Sequence, residues 1–128
     1  MAAKPPKPTA AELEILQVLW DRGPLSVRGV QRVLNQTKAA GYTTVLKLLQ
    51  IMTAKGLVDR DERQRPQIYR ARDPRERTQR QLLRDLLQRA FGGSVKALVL
   101  QALTDRKSSP EELREIEKLL DRIERGNK

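Results

Sequence analysis

GYTTVLKLLQIMTAKGLVDRDERQRPQIYRA, residues 41–71, carries the strongest structural signal in the chain. In its first half Val45, Leu48, Leu49 and Met52 fall at i, i+3, i+4 and i+7, so they share one face of a helix. Thr43, Lys47, Gln50 and Ala54 fall on the opposite face. Their side chains are short or medium and only one is charged, so that face can approach a polyanion closely and offer hydrogen bonds to base edges. Thr44 lies nearer the edge of the apolar stripe, where a phosphate or helix-start contact suits it better than base reading. The second half, LVDRDERQRPQIYRA, reads as a β-hairpin with Arg60, Arg63 and Arg65 at or near its tip. A groove-shaped helix beside a basic hairpin suits a winged-helix DNA reader. The competing reading is an ordinary amphipathic helix packed on a small sheet.

Upstream, Thr9 and Glu12 form a T-x-x-E capping box that opens a first helix. Leu13, Leu16 and Trp20 mark its expected buried stripe, with Ile15 and Leu19 on the flank. Asp21-Arg22-Gly23-Pro24 ends it. Leu25 fits a short extended stretch, and Ser26 caps a second helix over Val27 to Asn35 with Val27, Val30 and Leu34 inward. Residues 36–41 make a turn, the third helix runs from Tyr42 to Lys55, and Gly56 stops it. In the second strand Ile68 and Ala71 are the expected apolar anchors, with Tyr69 on the other side from Ile68. The order helix, helix, helix, hairpin is that of a winged helix-turn-helix.

A second module follows. Asp73-Pro74-Arg75-Glu76 opens a helix reaching about Ala90, with Leu82, Leu83, Leu86 and Leu87 as its stripe. The Arg-rich stretch 75–80 is expected to be solvated on all sides. Phe91-Gly92-Gly93 breaks the helix, and Ser94 caps a shorter one holding Val95, Leu98, Val99, Ala102 and Leu103. Ser109-Pro110-Glu111-Glu112 starts the last helix, with Leu113, Ile116, Leu120 and Ile123. Three short amphipathic helices are a poor independent core. Their stripes need either the first module or the same helices of a second chain, and the second arrangement is preferred. The predicted fold is therefore mainly α. A basic disordered arm (1–8) precedes a winged helix-turn-helix domain with a small β-hairpin wing (9–72) and a helical dimerisation domain (73–128).

The net charge of +10 is unevenly spread. Residues 1–72 hold 13 Lys/Arg against 6 Asp/Glu, a net of +7, whereas residues 73–128 hold 13 against 10, a net of +3. Basic charge favours polyanions through counterion release, although an acidic membrane or protein would be attracted as well. The absence of Cys and His removes disulfides, thiolate nucleophiles, cysteine metal sites and imidazole acid–base chemistry. No apolar run approaches the ~20 residues of a membrane-spanning helix, and MAAKPPKPT lacks the apolar core of a secretory signal. A cytoplasmic protein without cofactor or metal is expected, and an enzyme is not.

The candidate DNA contacts are Ser26 and Arg28 at the start of the second helix, Tyr42, Thr43, Thr44, Lys47 and Gln50 on the third, and Arg63 and Arg65 on the hairpin. For Ser26 the alternative is a simple helix cap. For the two arginines it is a charged tip that protects a sheet edge. The candidate dimerisation residues are Leu82, Leu83, Leu86, Leu87, Phe91, Leu98, Val99, Leu103, Leu113, Ile116, Leu120 and Ile123. Glu111, Glu112, Glu115 and Glu117 suit the positive end of an exposed helix rather than catalysis.

Six stretches in order carry a family resemblance: TAAELEILQVLW, GPLSVRGV, YTTVLKLLQIMTAKGLVDR, QIYRA, FGGSVKALV and SPEELREIEKLL. Together they resemble the penicillinase-repressor family of bacterial regulators (the BlaI/MecI/CopY group). The resemblance implies a winged-helix DNA-binding domain, a helical dimerisation domain and a repressor seated on an inverted repeat of double-stranded DNA. It implies recognition-helix contacts at Thr43, Thr44 and Lys47. The chain departs from the family at Ile51, where many relatives carry Arg. It has no Cys for the metal motif of copper-responsive members. Members inactivated by a regulatory protease are cleaved at an Asn-Phe bond, and the best-matching bond here is Gln101-Ala102. Two function classes follow: a dimeric repressor, or a protein-interaction adaptor that uses the winged helix and the helical module to dock partners.

Overall fold

A computed structural model describes residues 7–126. The elements run α1 (Ala10–Arg22), α2 (Val27–Leu34), α3 (Tyr42–Lys55), β1 (Val58–Asp61), β2 (Ile68–Ala71), α4 (Arg75–Phe91), α5 (Val95–Asp105) and α6 (Pro110–Gly126). The chain divides into two compact units, residues 1–82 and 83–128, with the division falling inside α4. Of the expected N-terminal arm, residues 1–6 lie outside the described residues; Lys7 is exposed and Pro8 is buried.

The first unit is built by strong local signals. The capping box at α1 is complete: the Thr9 hydroxyl accepts the Glu12 N–H at 3.2 Å, and the Glu12 carboxylate accepts the Thr9 N–H at 2.9 Å. Ser26 caps α2 by accepting the Gly29 N–H at 3.1 Å. The turn into α3 is tied by Asn35, whose side-chain oxygen accepts the Ala40 N–H at 2.7 Å, and by Gln31, which donates to the Ala40 carbonyl at 3.2 Å. Gly56 closes α3 in the left-handed region (φ 83°, ψ 18°). The Gly56 N–H reaches the Thr53 carbonyl at 3.2 Å and the Leu57 N–H reaches Met52 at 2.9 Å, a Schellman closure that sends buried Leu57 straight into β1.

β1 and β2 pair antiparallel in the register Val58↔Ala71, Asp59↔Arg70, Arg60↔Tyr69 and Asp61↔Ile68. Leu25 adds a one-residue third strand. It exchanges hydrogen bonds with Tyr69 at 3.0 and 2.8 Å, which joins the chain before α2 to the base of the hairpin.

The core gathers Ile15, Leu16, Val18 and Leu19 of α1 with Val27, Val30 and Leu34 of α2. Val45, Leu49 and Met52 of α3 join them, with Leu57, Val58 and Tyr69 from the hairpin. Two expectations need correction. The buried face of α1 is centred on Ile15 and Leu19, and Leu13 and Trp20 are only half-buried at its edge. Tyr69, 2% exposed, is the aromatic anchor of the hairpin, while Ile68 stays half-exposed. Ala71, two residues on, shares the Tyr69 side of the strand and packs on the core.

Within the stretch 75–80, Glu76, Arg77, Gln79 and Arg80 are exposed as expected, but Arg75 departs from expectation by packing, with Asp73 before it, on the C-terminal end of α1, and Thr78 by being buried. The Trp20 indole donates to the Asp73 carbonyl at 3.0 Å. The Arg75 guanidinium lies 5.8 Å from the Trp20 ring and pairs with Asp21, and Thr78 is buried. A cation over an indole with a carboxylate in reach gives this stretch a fixed place that no local pattern announces.

In the second unit Ser94 caps α5 by accepting the Ala97 N–H at 3.1 Å, and Ser109 caps α6 by accepting the Glu112 N–H at 3.1 Å. Between α4 and α5, Gly92 and Gly93 take positive φ (55° and 84°), which a side chain would resist. No residue of α5 or α6 is buried, and no residue of α4 beyond Thr78.

Candidate nucleic-acid interface

α3 presents two opposed faces. Val45, Leu49 and Met52 are at most 1% exposed, whereas Thr43, Thr44, Lys47, Gln50 and Ala54 are all exposed. The helix is therefore anchored by one side and offers the other to solvent. Lys47 makes no ion pair among the described residues, so its ammonium is available to an outside anion. The α3 N-cap is Gly41, with no side-chain cap hydrogen bond. The first backbone N–H groups of α3 are thus left to solvent or a ligand, and the helix dipole favours an anion there.

Arg28 and Tyr42 are brought together across the helix-turn-helix. The Arg28 guanidinium lies 5.1 Å from the Tyr42 ring centroid. Both side chains are exposed, so the pair sets a cation at the start of α3 on a fixed aromatic platform. Ser26 is half-buried and its hydroxyl is engaged as the α2 cap.

The hairpin tip is exposed but internally paired. The Arg63 side chain, 91% exposed, pairs with Asp61 at 3.2 Å, and Arg65 donates to the backbone carbonyls of Glu62 and Gln64 at 2.6 and 3.1 Å. Gln64 donates to the other Asp61 oxygen at 2.9 Å. These donors, first the Gln64 hydrogen bond and then Arg63, lower the Asp61 pKa to about 2. The tip arginines must exchange partners to reach a phosphate, which weakens them as contacts relative to Lys47. Arg60, in register with Tyr69, pairs with Glu62.

The far end of α3 is fastened to α1. Lys55 Nζ lies 2.6 Å from the Glu12 carboxylate, whose side chain is 3% exposed. Burial alone would raise the Glu12 pKa. The Lys55 hydrogen bond and charge, with the Thr9 N–H, outweigh that and hold it below its ordinary value. Sequence reasoning found Glu12 as a cap but missed this pairing, which spans 43 residues.

Most of the residues expected at a dimer surface remain uncovered. Leu83, Leu86, Val99, Leu103, Leu113, Leu120 and Ile123 are between 38% and 57% exposed, and Leu82, Leu87, Phe91, Leu98 and Ile116 are intermediate. Val95, one of the apolar residues expected on α5, is exposed as well, and so are Leu100 and Leu119, which the stripes did not single out. No described helix is long and apolar enough to cross a membrane, and no described group of His, Cys, Asp or Glu could hold a metal ion.

Two solved structures share this architecture. The Bacillus licheniformis BlaI, solved in its monomeric form in complex with the blaP half-operator, superposes with a TM-score of 0.50 at 23% identity, covering 57% of this chain and 89% of that one. A MarR family protein from Bacillus stearothermophilus superposes with a TM-score of 0.51 at 20% identity, covering 93% of this chain and 74% of that one. At these identities the likeness shows the winged-helix fold. Among curated proteins the comparison found no match. The penicillinase repressor family profile, however, matches residues 8–122, which takes in α1 through most of α6. The chain therefore belongs to the penicillinase repressor family, whose members are DNA-binding regulators rather than enzymes.

Proposed function

We propose that this DNA-binding repressor acts as a homodimer on an inverted-repeat operator, with one α3 in the major groove of each half-site. The observation that carries the reading is the outward face of α3. Thr43, Lys47, Gln50 and Ala54 are exposed opposite the buried Val45, Leu49 and Met52, on a helix whose C-terminal end is fastened to α1. Thr43 and Gln50 supply hydrogen-bonding groups of the kind that read base edges, and Lys47 supplies a free cation. Arg28, Thr44 and the backbone N–H groups opening α3 hold phosphates, and Arg63 and Arg65 reach the flanking backbone from the hairpin. The BlaI structure pairs a monomer with a half-operator. By analogy, two copies of this chain occupy a full site.

Dimerism is supported by the apolar surface of α4–α6. Ten of the twelve large exposed hydrophobics among the described residues lie there, on helices that bury almost nothing of their own. Apolar surface on that scale marks an interaction site, and a two-fold pair would set two recognition helices facing successive major grooves. The function is tested by footprinting the purified protein on the DNA upstream of its own gene. Two protected half-sites are expected, about 34–36 Å apart or a small multiple of that. Protection of one unpaired half-site would refute the dimeric reading, and no preference over random duplex would refute DNA reading and favour an adaptor. A regulatory protease would have to recognise α5 at Gln101-Ala102, where both residues are exposed.

A further inference from the structure

We propose that Ile51 is a specificity-determining residue that reads the 5-methyl group of a thymine in each half-site; this rests on the DNA-reading function proposed above. Within residues 7–82 only two large hydrophobic side chains are exposed, Tyr42 and Ile51, each 41%, and both lie on α3. Tyr42 is covered in part by Arg28. Ile51 is the one exposed large aliphatic among the described residues of the winged-helix unit. A single exposed aliphatic needs no explanation on an arbitrary surface, but this one sits beside the groove-facing residues. It is one residue beyond Gln50 and one turn beyond Lys47, about 40° round the helix from Lys47 on the side toward Thr44. It has no hydrogen-bonding group, so donors and acceptors on base edges give it nothing. Of the groups displayed in the major groove, thymine's methyl is the apolar one. Bringing Ile51 against it removes two apolar surfaces from water at once. Loss of a methyl-sized contact corresponds to about a fourfold change in affinity.

The test uses the full chain. Duplexes are enriched by binding from a randomised pool, and each thymine of the enriched half-site is then replaced in turn by deoxyuridine, which removes only the methyl group. At one position the replacement is expected to weaken the wild type by about fourfold, while Ile51→Ala binds both duplexes equally. Ile51→Ala should also bind the thymine duplex about fourfold more weakly than the wild type, with the same salt dependence, because no phosphate contact is lost. Trp20 fluorescence and helical circular dichroism verify that the variant is folded. An enriched sequence in which no uracil replacement separates wild type from Ile51→Ala overturns the assignment of Ile51 and leaves the DNA-reading function standing. A pool that yields no preferred sequence overturns both.

Discussion

Lys55→Met should destabilise the winged-helix unit more than Glu12→Gln, although both remove the same ion pair. The asymmetry follows from burial. The Glu12 side chain is 3% exposed and the Lys55 side chain 30%. Neutralising Glu12 frees a lysine that can turn its ammonium into water, and glutamine still offers an acceptor for the Thr9 N–H now held at 2.9 Å. The loss is then close to one charge-assisted hydrogen bond, roughly 1–2 kcal/mol. Removing Lys55 instead leaves a buried carboxylate with no cation. That approaches the roughly 3–5 kcal/mol of a broken buried pair, reduced to about 2–4 kcal/mol by the partial exposure of the site. The double variant should recover much of the Lys55→Met loss. The pH dependence has a definite sign. The Glu12 pKa is lower folded than unfolded, so its contribution is complete above the unfolded value and disappears as pH falls through the folded one. In acid, with Glu12 protonated, wild type and Glu12→Gln should converge, and the excess cost of Lys55→Met should vanish. Denaturant unfolding followed by Trp20, the single tryptophan and a residue of this unit, measures all four proteins. Equal losses at neutral pH, or a gap that survives in acid, would refute the reasoning.

Three further outcomes are expected. Lys47→Ala should leave the unfolding midpoint unchanged, weaken operator binding, and lower the slope of log affinity against log salt by about 1; titrations at several salt concentrations measure it, and an unchanged slope removes Lys47 from the phosphate contacts. Leu120→Asp combined with Ile123→Asp, both exposed now, should yield folded monomers by sedimentation, and an unchanged dimer would move the interface elsewhere on the chain. Tyr69→Ala, at a side chain 2% exposed, should cost roughly 3–5 kcal/mol of unfolding free energy, and a loss under about 1 kcal/mol would contradict the anchoring of the hairpin by this ring.

Local signals were legible where they were complete. Thr9 with Glu12, Ser26, Gly56, Ser94 and Ser109 each marked a helix end where the structure has one, because a cap is satisfied within a few residues of chain. The outward face of α3 was legible for the same reason, since a strict helical spacing leaves one solution. Other features depended on partners distant in sequence. In Ile68-Tyr69-Arg70-Ala71 an apolar side chain points each way, so the alternation alone did not say which side meets the core. Leu25, bonded to Tyr69 from more than forty residues earlier, settles it by closing the sheet edge beside that ring. In α1, Leu13, Ile15, Leu16, Val18, Leu19 and Trp20 crowd most of the helix circumference. The centre of burial is then set by α2, α3 and the hairpin, and not by periodicity. Nor could the grip of Trp20 and Asp21 on Asp73 and Arg75 be read locally, since arginine-rich helix starts are commonly solvated.

The division of labour on α3 has a consequence for how binding preference can change. Its buried residues, Val45, Leu49 and Met52, tie it to α1, α2 and the hairpin, and its C-terminal end is held by Glu12 and by the Gly56 closure. None of these touches the outward side. Thr43, Lys47, Gln50, Ile51 and Ala54 meanwhile carry little of the packing, so substitution there costs within about 0.5 kcal/mol of stability. If α3 enters the groove as proposed, a helix fixed this way would present each outward side chain at a set height and angle there, and exchanging one would alter what is read at one base pair without shifting the others. Specificity can then drift residue by residue while the fold stays put. Ile51 is the informative place to look for such drift, because an apolar side chain offers a base pair contact to a methyl group where a polar one would offer a hydrogen bond.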